Sequence, residues 1–277
     1  MIPAPFRYQR AATVSEALDL AAEGGEDATF LAGGHSLLPL MKLRLALPEV
    51  VIDIGRIAGL SYIRVQNGGI SIGALTRHHD LEHSGLLARE LPLLAAAAGR
   101  VGDPQVRHRG TIGGSLAHAD PASDLPAVLL ALDATLVAIG PRGSREIAAA
   151  DFFTGTFETA LEPGELLTGI RVPRPASPGW SFQKFTKRAI DWAIVGVAVQ
   201  GGSVALVNMG EIPLRAAATE RALAGGASPR EAAALAAEGT RPVADINASR
   251  DYRQHLARVL TARALAEARS GHPRRKS

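Results

Sequence analysis

Apolar residues along this chain recur with two different periods, and the changes between them mark its elements. Thr13-Val14-Ser15-Glu16 has the capping-box pattern and opens a helical spacing that Gly24-Gly25 closes. The short apolar runs ATFLA (Ala28–Ala32) and VVIDI (Val50–Ile54) show no such period and predict buried strands. The first of them runs straight into Gly33-Gly34, His35 and Ser36, after which helical spacing resumes with LLPLMK. Residues 1–56 therefore predict a small strand–helix–strand unit.

Strict alternation then takes over in YIRVQNGGISIGAL, on both sides of Asn67-Gly68, a strong short-range hairpin signal. A polar turn of helix, TRHHDLEH, precedes an apolar helix that Pro92 kinks or splits. The dense stretch from Gly102 to Leu136 follows, then a second hairpin, TLVAIGPRGSREIAA, and a strand near LLTGIRVP. Pro173, Pro175, Pro178 and Gly179 place a domain boundary near residue 176. Beyond it, WSFQKFT and IVGVAVQGGSVALVNM predict an antiparallel sheet of about three strands. Helices come last: Ser228-Pro229-Arg230-Glu231 is a second capping box, and Tyr252, Leu256, Val259 and Leu260 share one helical face. The expected fold is α/β (α+β). A domain of two α/β subdomains (about 1–56 and 57–176) precedes a small C-terminal domain, 177–277, of antiparallel sheet plus helices.

Composition narrows the function classes. The 277 residues carry no cysteine, so disulfides, thiol nucleophiles, zinc thiolates and iron–sulfur ligation are excluded from this chain. The formal charge is only +3, part of it in the tail GHPRRKS, and none of the twelve aromatic residues interleaves with a basic cluster. Nucleic acid is therefore not an expected partner. The start lacks a signal-peptide pattern and no apolar run reaches the length of a membrane span, so a cytoplasmic protein is expected.

Two glycine-rich stretches carry the candidate chemistry. Backbone N–H groups at Gly33-Gly34, between a strand and a helix, favour a bound phosphate, with Ser36 adding a hydroxyl and His35 an edge contact. Gly110-Thr111-Ile112-Gly113-Gly114-Ser115 repeats that pattern in the second unit, and two such loops, if they face each other, would clamp a diphosphate from both sides. Neither is a Rossmann fingerprint or a P-loop. Asp124 offers a carboxylate to a hydroxyl-bearing group such as ribose or ribityl, whereas Asp120, in DPAS, reads as a turn cap. The run His78-His79-Asp80-Leu81-Glu82-His83 lacks the spacing of H-E-x-x-H and predicts a solvated helix without a metal; packed or solvent-facing roles are expected of His108 and His118. Trp192 reads first as core or interface, and second as a cover for a flat aromatic ligand.

Three stretches, LAGGHSLLPLMKLRLALPEVVIDIGRI, RHRGTIGGSLAHADPASDLPAVLLALDATL and RPVADINASRDYRQHLARVLTARAL, resemble the FAD-binding medium subunit of molybdenum hydroxylases, and most closely that of aerobic carbon monoxide dehydrogenases. The resemblance implies that FAD binds with its diphosphate between Ala32, Gly33, Gly34, His35, Ser36 and Thr111, Ile112, Gly113, Gly114, Ser115. It implies FAD contacts at Asp124, near Leu167 and near Lys187, and an isoalloxazine ring beside Trp192. It further implies a large molybdopterin-binding partner and a small 2Fe–2S partner, so that this chain passes electrons from iron–sulfur clusters to an external acceptor and holds no acid–base catalytic residue. Ser115 stands where many members have Asn, and Thr186 where the xanthine oxidoreductase branch has a flavin-side lysine. A non-catalytic FAD or diphosphate module, in an assembly or sensor role, is the reading from another class.

Overall fold

The computed structural model describes residues 2–270, so the basic tail Gly271–Ser277 lies outside the described residues. The first unit is a three-stranded parallel sheet with Val50–Asp53 in the middle, flanked by Arg7–Arg10 and Ala28–Leu31. Val50, Val51 and Ile52 are buried, as expected of a central parallel strand covered on both faces. Arg7–Arg10 is a strand that apolar patterning does not predict, because its residues are polar and mostly exposed. Its order comes from backbone pairing, Arg7 beside Val50 through Arg10 beside Asp53. The helix Val14–Gly24 is capped by the Thr13 hydroxyl, which accepts from the Glu16 N–H at 3.1 Å. Glu16 reaches back to the Ala12 N–H at 2.7 Å, so the reciprocal half of the box is offset by one residue. Gly25, at φ 62°, ends the helix.

The second unit is a five-stranded antiparallel sheet. Its strands run in the order Ile63–Gln66, Gly69–Gly73, Leu166–Val172, Thr135–Gly140, Gly143–Ala148. The Asn67-Gly68 hairpin forms as predicted, with both residues at positive φ (50° and 77°), the geometry of a type I′ turn. Pro92 splits the apolar helix into Gly85–Glu90 and Pro92–Ala98 and occupies the first position of the latter, where a missing N–H costs nothing.

The third sheet is antiparallel and has four strands, one more than the pattern suggests: Trp180–Phe185, Val195–Gln200, Ser203–Val207 and the short Leu214–Arg215. Val195–Gln200 is buried on both faces. Its Val195, Val197 and Val199 pack with Leu256, Leu260 and Leu265 of the helix Arg250–Ser270. Ala198, with Ala205 and Val207 of the neighbouring strand, joins the main core and meets the wholly buried helix Asp124–Ala131. The alternating side chains of one strand thus tie both parts of the molecule together. Of the residues that helical spacing groups on the last helix, Leu256 and Leu260 are buried, while Tyr252 is exposed. The Ser228–Glu231 capping box is complete in both directions.

Candidate cofactor site

A cavity of about 560 Å³ opens where the three sheets meet. Its wall includes Ala32, Gly33, Gly34, His35 and Ser36 from the loop after Ala28–Leu31, and Thr111, Gly113, Gly114 and Ser115 from the start of the helix Ile112–His118. The two stretches adjoin. A Cβ on Gly33 would sit 2.3 Å from the Arg109 carbonyl oxygen, and one on Gly114 would sit 3.9 Å from the Ala32 Cβ. A Cβ on Gly113 would come within 2.6 Å of both the Cβ and the carbonyl oxygen of Ala74. Gly33 and Gly113 are therefore required by the approach of protein backbone to protein backbone, whatever lies in the cavity.

Backbone hydrogen bonds separate the loops chemically. Among the described residues, the N–H groups of Gly33, Gly34, His35 and Ser36 have no acceptor, and the Ser36 hydroxyl caps nothing. In the second stretch every N–H from Ile112 to Ser115 is spent: Ile112 on Thr76 O (2.9 Å), Gly113 on Ala74 O (2.8 Å), Gly114 on Thr111 Oγ1 (3.1 Å) and Ser115 on Thr111 O (3.0 Å). The expectation that the second loop repeats the chemistry of the first is corrected on this point. It presents hydroxyls, of Thr111 and Ser115, and close-packed glycines, whereas the first presents a run of free donors suited to an anion. Ile112 has its side chain in the core and is absent from the cavity wall.

Asp124 opens the buried helix Asp124–Ala131, and its two carboxylate oxygens have different fates. Oδ2 accepts from Lys184 Nζ at 2.6 Å, the two side chains being 4% and 3% exposed. Oδ1 is buried on the cavity wall without a partner. Burial pushes the carboxyl up to about 6, against the pull of the Lys184 ammonium. Lys184 also donates to the Arg100 carbonyl at 3.0 Å. Sequence reasoning missed it: the resemblance points to Lys187, which is exposed and off the wall, three residues further on. Alternation within Trp180–Phe185 puts Lys184 on the same side as Phe182, the one strand residue in the main core, and this is the signal that finds it.

His78 lines the same cavity, in contrast to the solvated helix expected of its segment. Its Nδ1 has no partner, and burial, with Arg107 adding repulsion, lowers the imidazole to about 4. The ring is neutral at pH 7. Leu167, on the central strand of the second sheet, is also on the wall, as is half-buried His118. Asp120 caps its turn through the Ala122 N–H at 2.8 Å, as expected. Trp192 is at the rim and 57% exposed, so it is not a core residue. Its segment is held at Ile194, whose carbonyl accepts from the buried Arg253 Nη1 at 2.5 Å.

The cavity combines free main-chain donors, hydroxyls, a buried carboxylate oxygen without a partner and a neutral imidazole within one apolar pocket. That set suits a ligand with a diphosphate, hydroxyls and a flat ring system. Comparison with known proteins agrees. The family described as FAD binding domain in molybdopterin dehydrogenase matches residues 4–175, and the CO dehydrogenase flavoprotein C-terminal domain matches residues 180–268. The carbon monoxide dehydrogenase medium chain of Hydrogenophaga pseudoflava is 43% identical, over 96% of this chain and 97% of the relative. The solved carbon monoxide dehydrogenase of that organism superposes with a TM-score of 0.93 at 44% identity, covering 98% of this chain and 99% of the other. Quinoline 2-oxidoreductase from Pseudomonas putida 86 superposes with a TM-score of 0.91 at 34% identity, over 98% and 99%. Among the described residues no helix is long and apolar enough to cross a membrane. The chain belongs to the family of FAD-binding medium subunits of molybdenum-dependent dehydrogenases, oxidoreductases whose cofactor in this subunit is FAD.

Proposed function

We propose that this chain is the flavin station of a cytoplasmic electron relay. It takes electrons from the iron–sulfur clusters of a small 2Fe–2S subunit and passes them to an external acceptor, while a large molybdopterin-binding subunit oxidises the substrate. Having no cysteine, the chain cannot ligate such clusters and must receive electrons from a partner. The fold it shares is found in enzymes named for carbon monoxide and for quinoline, which supports the reading that substrate choice belongs to another subunit. The division of labour within the chain follows the boundary near residue 176: the preceding part holds most of the cofactor, and the following part contributes Lys184 and Trp192.

FAD, when bound, supplies the ability to accept electrons singly and release them in pairs. The chain's residues bind, orient and shield it. The free N–H groups of Gly33 to Ser36 hold the diphosphate, with the Thr111 and Ser115 hydroxyls donating from the other wall. Asp124 Oδ1 accepts from a cofactor hydroxyl. Lys184 keeps that carboxylate charged at neutral pH, so that Oδ1 acts as an acceptor. His78 and Leu167 close the wall without adding charge, and Trp192 covers the ring at the rim. The observation that carries the reading is the pairing of four unspent donors with one orphaned buried carboxylate oxygen on a single cavity.

The test begins with the purified chain mixed with FAD and freed of excess cofactor. Flavin absorption bleached by dithionite is expected. With the two partner subunits and their substrate present, the same bands should bleach without dithionite. Flavin that stays oxidised under those conditions overturns the relay and leaves a cofactor-binding module.

A further inference from the structure

Outside the cofactor cavity, the described residues hold a second concentration of coordinating side chains. One ring nitrogen of His79, one of His83 and a carboxylate oxygen of Glu82 all lie within 4.8 Å of one another. The sequence run that contains them has no metal-protease spacing, and by itself it does not point to a metal. What changes the picture is a residue from another helix. His108, on Pro104–Arg109, stacks on His79 with ring centroids 4.0 Å apart, and His79 in turn lies 4.2 Å from the ring of His83. Three imidazoles and a carboxylate therefore occupy one surface patch built by two helices distant in sequence. His78, one residue earlier, faces the cofactor cavity; His79, His83 and His108 are not on its wall.

The hydrogen bonding of the patch fits coordination. His83 Nδ1 lies 2.9 Å from the His79 carbonyl oxygen. Because a carbonyl only accepts, Nδ1 carries the proton and Nε2 of the neutral ring carries the lone pair. Such a second-nitrogen bond to a backbone carbonyl is the usual way a ligating imidazole is oriented. The rings of His79 and His108 have no hydrogen-bond partner among the described residues, so their lone pairs are uncommitted. Glu82 Oε2 accepts from Arg107 Nε at 2.8 Å, and Arg107 is anchored on the carbonyls of Val101 and Gly102. Oε2 also lies 3.8 Å from His83 Nδ1, while Oε1 has no hydrogen-bond partner among the described residues, so the carboxylate that Arg107 holds keeps capacity for a cation. His83 and His108 are exposed, so small side-chain rotations that bring the ligand atoms to about 2.0–2.1 Å of an ion cost little.

We propose that His79, Glu82 and His83, with His108 beside them, form a site for a divalent cation of the kind imidazole selects, zinc above all. The ion would be held by the helix His78–Glu82 and its C-cap residue His83, with His108 of Pro104–Arg109 packed against the His79 ring, and it is a different site from the flavin's. The experiment is calorimetric titration of the untagged full chain with Zn2+, followed by the His83→Ala and His108→Ala variants and a His255→Ala control. The expected result is saturable binding of one ion per chain, weakened about tenfold or more by His83→Ala and unchanged in the control. Cu2+ bound to the wild-type chain should show nitrogen superhyperfine splitting in its electron paramagnetic resonance spectrum, and His83→Ala should diminish it. Absence of saturable Zn2+ binding, or binding as tight in His83→Ala as in wild type, would overturn the site, and a loss in His108→Ala as well would add its ring to the ligands. Circular dichroism of each variant separates loss of ligand from loss of fold.

Discussion

Replacing Lys184 with Met isolates the buried ion pair on which the cofactor cavity rests. Breaking a buried pair by removing one partner ordinarily costs about 3–5 kcal/mol, because a bare charge is left in a low-dielectric interior. Asp124 has a cheaper escape. Its carboxyl is already pushed up to about 6 with Lys184 in place, so at pH 7 taking up a proton costs only on the order of 1 kcal/mol. Protonation therefore wins over a bare carboxylate, and it caps the damage. The cap moves with pH: it is small near pH 6 and grows by on the order of 1 kcal/mol for each pH unit above that.

The sign follows from proton counting. In the variant, folded Asp124 keeps its proton above the unfolded value of 3.8, so the folded state binds more protons and stability falls as pH rises. The assay is urea unfolding of the FAD-free chain, wild type against Lys184→Met, at pH 6, 7 and 8. The double variant Asp124→Asn, Lys184→Met removes the titrating group and should show a loss that does not change with pH. A Lys184→Met loss that is flat between pH 6 and 8, or a double variant with the same slope as the single, would refute the reasoning.

Further outcomes are open to measurement. Gly113→Ala drives a Cβ into Ala74 at 2.6 Å and should destabilise the chain by about 1–3 kcal/mol even without FAD, as read by thermal unfolding; a loss seen only in FAD binding would show that the glycine serves the ligand instead. Asp124→Ala should weaken FAD by about 1–3 kcal/mol, because a cofactor hydroxyl then loses its acceptor, and wild-type affinity should fall below pH 6 as the carboxylate protonates. Equilibrium titration against pH decides both. His78→Gln should remove a stability term of about 3 kcal/mol that wild type loses as pH drops from 6.5 through 4, since the unfolded imidazole takes a proton that the buried one refuses; the check is the difference in unfolding free energy between pH 7 and 4.5. Trp192→Ala should change the fluorescence of bound flavin while leaving the apo-chain's melting point nearly unmoved, because the indole is 57% exposed.

Elements whose cause is local were legible in the sequence. The Asn67-Gly68 turn forms because two adjacent residues tolerate positive φ, and Pro92 splits its helix because it has no N–H to donate. Arg7–Arg10 was not legible: nothing in four polar residues announces a strand, and its order is supplied by Val50–Asp53, some forty residues away. The site divides in the same way. Glycines at 33, 34, 113 and 114 mark loops of close approach, yet which N–H groups remain free depends on Ala74 and Thr76 reaching the second loop from another strand end. Lys184 escaped notice because a lysine in an alternating strand reads as solvent-facing until Asp124 closes over it.

These separations explain why the two glycine stretches look alike and act differently. Each has paired glycines before a helix, so local chemistry alone assigns both to phosphate. In the second, however, the N–H groups of Ile112 and Gly113 bond to the chain leaving Gly69–Gly73, and a Thr111 cap takes those of Gly114 and Ser115. Those bonds weld the helix Ile112–His118 onto the central sheet and fix the Gly33 contact that seats the first loop. A rigid wall then faces a loop with unspent donors. Preorganised donors cost no reorganisation when an anion arrives, and a loop braced from behind holds them in place. On the proposed reading the second stretch acts on the diphosphate largely through the first, and Gly113→Ala is therefore expected to disturb the fold before it disturbs the ligand.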